Sequence, residues 1–163
     1  MHVKKLIIFS MLVLVGLVGC GKSTNTSELS ELLTYKNSYV GDNSTVSHII
    51  RRLPAHEYLD GFQLQTSQEP YEITINYKNF DKKMVKLEDC STSNASLNEI
   101  LKGNAMIMLS LIKNAEIINF NVEGHDMIIF DRATLSNNYG NTLDSITEDE
   151  SSLKNFIKTY TDK

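Results

Sequence analysis

Eight residues near the N-terminus spell a phosphate-binding loop. Gly16-Leu17-Val18-Gly19-Cys20-Gly21-Lys22-Ser23 fits G-x-x-x-x-G-K-S letter for letter. In that pattern backbone amides cradle the phosphates, the lysine reaches the outer ones and the hydroxyl holds magnesium. Met127-Ile128-Ile129-Phe130-Asp131 looks like the second half of such a site, an apolar strand ending in a magnesium-binding acid. His56-Glu57-Tyr58-Leu59-Asp60 is one residue away from H-E-x-x-H, where two imidazoles one helical turn apart hold zinc and the glutamate acts as base. His48 and His125 complete the histidines beyond the N-terminal segment, and Cys20 and Cys90 are the two thiols.

The surroundings argue against both motifs. A strand feeding a phosphate loop is usually five or six residues long. Here the apolar run extends from Leu6 to Gly19 with Lys4 and Lys5 in front of it. The chain between the two motifs lacks the βα alternation of a parallel nucleotide-binding sheet. In the zinc-like pentad, Asp60 replaces the second imidazole, Pro54 lies just upstream, and Gly61 follows where a helix should continue. No metal, cofactor or nucleotide is therefore expected. A G-x-S-x-G nucleophile elbow is also missing, and His125 beside Asp126 reads as a solvated turn.

The same N-terminal letters have a second reading. A basic start, Lys4-Lys5, leads into an apolar stretch with no acid before Glu28, which is the form of a secretory leader. The run is short for a permanent spanning helix, which needs about 20 apolar residues. It ends in Leu17-Val18-Gly19-Cys20, which resembles the lipobox of bacterial lipoproteins. That resemblance implies diacylglycerol on the Cys20 thiol and cleavage just before it. Residues 1–19 would then be the leader, 20–34 a lipid-anchored flexible tether, and 35–163 a single domain. Two acyl chains give a firm anchor, and Gly21 to Ser27 is too small and polar to fold. The expected location is the outer face of a cell membrane.

The formal charge of −4 becomes about −6 once Lys4 and Lys5 leave with the leader. This balance argues against nucleic acid as a partner. With Cys20 acylated, Cys90 has no intramolecular partner, so a disulfide framework is excluded. Nothing near Cys90 is set to lower its pKa, since Glu88 and Asp89 accompany Lys86.

The elements alternate clearly. Glu28 to Leu33 offers one helical turn. Asp42-Asn43-Ser44 supplies helix caps, and Val46, Ile49, Ile50 and Leu53 follow at helical spacing until Pro54. Phe62 to Thr66 and Tyr71 to Tyr77 alternate apolar and polar residues around Ser67-Gln68-Glu69-Pro70, predicting an antiparallel hairpin. A weaker strand is expected over Lys83 to Glu88. Ser96-Leu97-Asn98-Glu99 is a capping box that opens a helix ending near Asn114, apolar almost all round in its second half and so buried. Its methionines read as core filling. Glu116 to Val122 and Met127 to Phe130 predict a second hairpin around Gly124. Asp131 to Leu135 starts a short helix, and Asn137 to Asn141 reads as loop. Thr147-Glu148-Asp149-Glu150 reads as a second capping box before a terminal helix with Leu153, Phe156, Ile157 and Tyr160 as its stripe. The fold class is α+β: one small domain with a mainly antiparallel sheet of about four strands and helices packed on one face.

Several stretches together resemble the "domain of unknown function 4825" family: Tyr39 to Val46, Leu53-Pro54, Gln65-Thr66 with Glu69-Pro70-Tyr71, Ile75 to Tyr77, Asn104-Ala105 and Leu111-Ile112. The resemblance runs from about Lys36 to Phe130. Tyr39-Val40-Gly41-Asp42-Asn43 and Glu69-Pro70-Tyr71 are its more specific parts. It implies a lone lipoprotein of Gram-positive type, related to extracytoplasmic pieces of membrane sensors similar to the β-lactam receptor. The family carries no established activity, so no catalytic residue transfers.

Tyr39, Gly41, Asp42 and Asn43 form the candidate ligand or partner surface: an aromatic, a glycine and two polar side chains before a helix N-terminus. Capping by Asp42 or Asn43, a turn at Gly41 and packing of Tyr39 would account for the same residue types. The expectation is a non-enzymatic binding or sensing module, anchored through Cys20 and meeting an envelope protein or membrane sensor. A small envelope hydrolase and an immunity-type lipoprotein are the alternatives.

Overall fold

The computed structural model describes residues 27–80, 95–139 and 142–161. Cys20, Cys90, the phosphate-loop letters and the strand expected over Lys83 to Glu88 lie outside the described residues. In chain order come α1 (Glu28–Leu33), α2 (Asn43–Ile50), a 3-10 turn (His56–Tyr58), β1 (Leu59–Gln65), β2 (Glu72–Tyr77), α3 (Leu97–Leu111), β3 (Ile117–Val122), β4 (Ile128–Asp131), α4 (Arg132–Tyr139), α5 (Thr142–Ile146) and α6 (Glu150–Thr161).

Both hairpins form. β1 pairs antiparallel with β2, and β3 antiparallel with β4. The two hairpins join through a parallel pairing of β2 with β3, from Glu72↔Ile117 to Tyr77↔Val122, giving a four-stranded mixed sheet in the order β1-β2-β3-β4. α3 is the crossover that a parallel pair requires. Ile73, Ile75, Tyr77, Ile118, Phe120 and Val122 form the inner face and are fully buried against the helices. The alternate residues line the other face with a polar ladder. Asn119 donates to Glu72 at 2.9 Å, and Asn121 to Asn76 at 3.0 Å. The α+β class, the four strands and the mainly antiparallel pairing are as expected; the parallel pairing at the centre had no forecast.

α3 lies at the centre of the helical layer. Its capping box is present, with Ser96 Oγ accepting from the Glu99 amide and Glu99 accepting from the Ser96 amide at 3.0 Å. Ten of its fifteen residues are buried, including Asn104, which donates to the Pro54 carbonyl at 2.8 Å. Arg132 closes the other end, donating to the carbonyls of Leu109, Ile112 and Ala115, each at 2.8 Å. Leu109 lies in the last turn of α3, whose carbonyls a helix end otherwise leaves unpaired, and Ile112 and Ala115 lie in the segment that follows it.

Several elements differ from expectation; α2 already stops at Ile50, short of Pro54. The folded part begins before residue 35: Ser27 caps α1 through the Ser30 amide, and Leu32 is fully buried, so residues 28–33 are packed rather than tether. α6 starts two residues later than the Thr147 box implied. Asp149 accepts from the Ser152 amide at 2.7 Å, while Thr147 is buried with its hydroxyl 2.6 Å from that of Ser110. α4 continues through Asn137 and Asn138, where a loop was expected, and α5 had no forecast.

Candidate functional site

The Tyr39 segment is held in place by backbone pairing. After α1 the chain turns through Asn37, with φ of 66°, and Ser38 makes a parallel bridge to Ile112. The Ser38 amide donates to Leu111 at 3.1 Å, and the Lys113 amide donates to Ser38 at 2.9 Å. The Val40 amide then donates to Asn114 Oδ1 at 2.8 Å, and the Val40 side chain is fully buried. This leaves Tyr39, between two fixed neighbours, 53% exposed.

Asp42 caps α2 as expected. It accepts from the Thr45 hydroxyl at 2.6 Å and from the Thr45 amide at 3.0 Å. Those two bonds, the hydroxyl's foremost, hold its carboxyl below the usual range. Asn43 is the exposed first residue of the helix. One part of the packing alternative fails: Tyr39 is exposed. Gly41 does lie in a turn, closed by the Asp42 amide donating to the Tyr39 carbonyl at 3.0 Å, but it has no left-handed φ and has open space where a Cβ would stand, so neither the turn nor packing requires glycine there. Gly124 does have the φ its hairpin turn demands, at 81°.

Asn114 joins this segment to a second one. A shallow, open depression of about 430 Å³ is lined by Glu69, Pro70, Tyr71, Asn114 and Glu116. The Gln65 side chain organises one wall, donating to the carbonyls of Gln68 at 2.8 Å and Pro70 at 3.1 Å. The Glu116 amide donates to the Tyr71 carbonyl at 2.9 Å and fixes the other wall. Glu69 and Glu116 make the lining acidic, with Arg132 4.0 Å from the Glu116 carboxylate as a partial counterweight. The depression presents carboxylates, an amide and a phenol, with the exposed Tyr39 ring on the neighbouring segment. Its lining can hold a ligand by hydrogen bonds, charge and ring contact, and it contains no histidine, serine or cysteine.

The three histidines do not converge on it. The His48 ring stacks on Tyr35 at 5.8 Å and 3°. His56 stands in a 3-10 turn rather than the α-helix an i, i+4 metal pair needs, with Nδ1 3.1 Å from the Leu53 carbonyl. His125 is exposed in the β3–β4 turn. Asp131, the would-be magnesium ligand, ends an antiparallel edge strand and accepts from the Thr134 amide at 2.8 Å. Among the described residues, no three His, Cys, Asp or Glu side chains are placed to share a metal ion, and no helix is long and apolar enough to cross a membrane.

Sequence reasoning singled out residues 39–43 but passed over Asn114, Glu116 and Arg132. The only signal for Asn114 was its place as a helix stop. A second missed cluster joins α1 to α2. Arg52 forms an ion pair with Glu31, donates to the His48 carbonyl at 3.0 Å and lies 5.8 Å from the centre of the Tyr35 ring.

The model of a family described as "Domain of unknown function (DUF4825)" matches residues 32–135. That span includes every residue of the depression and of the Tyr39 segment, and ends before α5 and α6. No curated protein and no solved structure matches the chain.

Proposed function

The chain belongs to the DUF4825 family, and from that premise we propose that it is a lipid-anchored extracytoplasmic binding module. Its ligand or partner face would be the Tyr39 segment together with the Glu69–Glu116 depression. One observation carries this reading: two distant segments, residues 39–43 and 69–71, meet at Asn114, where one ends in an exposed tyrosine and the other walls a depression. Capping accounts for Asp42 but not for an exposed Tyr39 or for a glycine at 41 that the backbone does not need. A glycine with free space around it lets a ligand approach the main chain closely. The leader and lipobox letters support anchorage through Cys20.

Hydrogen exchange on the full-length acylated chain, with and without native membrane and wall fractions, tests the binding face. Protection is expected at residues 38–42, 69–71 and 113–116, and should be lost in Tyr39→Ala and weakened in Gly41→Ala at unchanged stability. Protection elsewhere, or none, would refute the assignment. Anchorage is tested separately: Cys20→Ser should release the protein from the membrane fraction, and a variant still membrane-bound with its leader attached would refute lipidation.

A further inference from the structure

The sheet's two edges are built differently. β4 is four residues long and runs straight into α4. β1, at the opposite edge, has seven residues, and among the described residues no strand pairs with its outer side. Exposed edges are normally blunted by short length, lysine, proline or a bulge. β1 has its irregularity only at the start, between Leu59 and Gly61. From Gly61 to Gln65 the sequence is Gly-Phe-Gln-Leu-Gln, with no charge and no proline. Its one acid, Asp60, is already met by Lys78 at 2.8 Å. Phe62 and Leu64 pack on the core yet stay partly exposed.

This strand complements itself. When two copies run antiparallel about an axis at Gln63, Phe62 of each copy faces Leu64 of the other. Gly61 then faces Gln65, and Asp60 faces Thr66. The apolar pairs fall on the helix side, the glutamines on the polar side, and no like charges oppose one another. Moving the axis to Phe62 would set Leu64 against Asp60, so pattern and charge together select the register. We propose that β1 is a dimer seam, pairing with β1 of a second copy to merge two four-stranded sheets into one. Such an isologous contact is the commonest form of homodimer, and strand addition at a free edge is its simplest structural means.

Cysteine cross-linking of the full-length acylated chain carrying Cys90→Ser tests the register. Residues facing each other across antiparallel strands have Cα atoms about 4.5–5.5 Å apart, within disulfide range. Gln63→Cys alters an exposed side chain and should leave the fold intact. Under copper–phenanthroline oxidation it should form disulfide dimers more than about tenfold faster than Asn155→Cys on the exposed side of α6, because a paired edge raises the effective concentration of the thiols. The Cys90→Ser parent sets the baseline. Gln63→Lys would place like charges across the axis, and should sediment as a monomer in detergent where the parent sediments as a dimer, with an unchanged far-UV spectrum. Equal cross-linking rates at positions 63 and 155, a monomeric parent at micromolar concentration, or cross-linking of position 63 to a different protein would each overturn the proposal.

Discussion

The ring of Tyr160 on α6 fills the space that a side chain on Gly103 of α3 would need: a Cβ there would stand closer than 3.0 Å to the ring. Alanine normally stabilises a helix interior relative to glycine by about 1 kcal/mol. At this crossing the sign should reverse. Gly103→Ala is expected to destabilise the fold by about 1–3 kcal/mol through overpacking, read from urea unfolding. Tyr160→Leu in the same chain should recover part of the loss, a coupling that only contacting residues show. A stabilised Gly103→Ala protein would show that α6 does not pack here.

Tyr77 offers the opposite expectation. Among the described residues its buried hydroxyl meets no partner at hydrogen-bond geometry, and burial pushes its pKa well above the usual tyrosine range, a shift that the Asn104 side chain opposes. An unsatisfied buried polar group costs about 1–3 kcal/mol. Tyr77→Phe keeps the ring contacts with Phe120 and Phe80 and removes that cost. Thermal unfolding should show equal or higher stability; a loss above experimental error would mean that the hydroxyl has a partner in solution.

Arg132 should tolerate no replacement. It is largely buried, and burial lowers its pKa from the usual arginine value while Glu116 opposes the shift. Its fork meets one carbonyl in the last turn of α3 and two in the segment that follows. Lysine cannot reproduce that geometry. Arg132→Lys and Arg132→Ala should both lose about 2–4 kcal/mol, since hydrogen bonds to charged groups contribute more than neutral ones. A wild-type-like Arg132→Lys midpoint in urea would contradict the three-carbonyl role.

Acid should weaken the fold through its caps. Glu31 is held below the ordinary range chiefly by its hydrogen bond to Arg52, Asp42 by Thr45, Asp131 by Thr134 and Asp149 by Ser152. Each has a native pKa lower than its unfolded value of about 4. Their contribution is therefore complete above that value and fades as pH falls through the depressed native range. The melting temperature should stay flat down to about pH 5 and then drop. Asp42→Asn, which still caps but cannot titrate, should match the parent at neutral pH and fall less steeply in acid. An identical acid slope in both proteins would exclude Asp42 as a contributor.

Local features of the sequence were legible because they are written in neighbouring residues. The alternation of Ile73, Ile75 and Tyr77, the Ser96–Glu99 box and the left-handed glycine at 124 all depend on short spacings. The parallel pairing of β2 with β3 was not legible, since no local pattern reports which strands become neighbours across a helix. Arg132 and Asn114 escaped notice for a similar reason: each is an ordinary polar residue until the fold brings it to main-chain groups far along the chain. Thr147 misled because its capping pattern is real in type, but Asp149 competes for the same helix start and wins. Of the site, residues 39–43 could be picked out, whereas the depression exists only once residues 69–71 and 114–116 are folded together.

The parallel centre of the sheet also sets an order of events. Asn76 and Asn121, hydrogen-bonded across it, stand 45 positions apart in the chain, and distant contacts of this kind slow folding. As synthesis proceeds from the N-terminus, β1 and β2 are complete long before β3 exists. The first hairpin must then wait with Ile73, Ile75 and Tyr77 uncovered, and an isolated hairpin is marginally stable at best. Until residue 122 is available the sheet lacks its central pairing, and the interval before β3 arrives is when misassembly competes most strongly with folding.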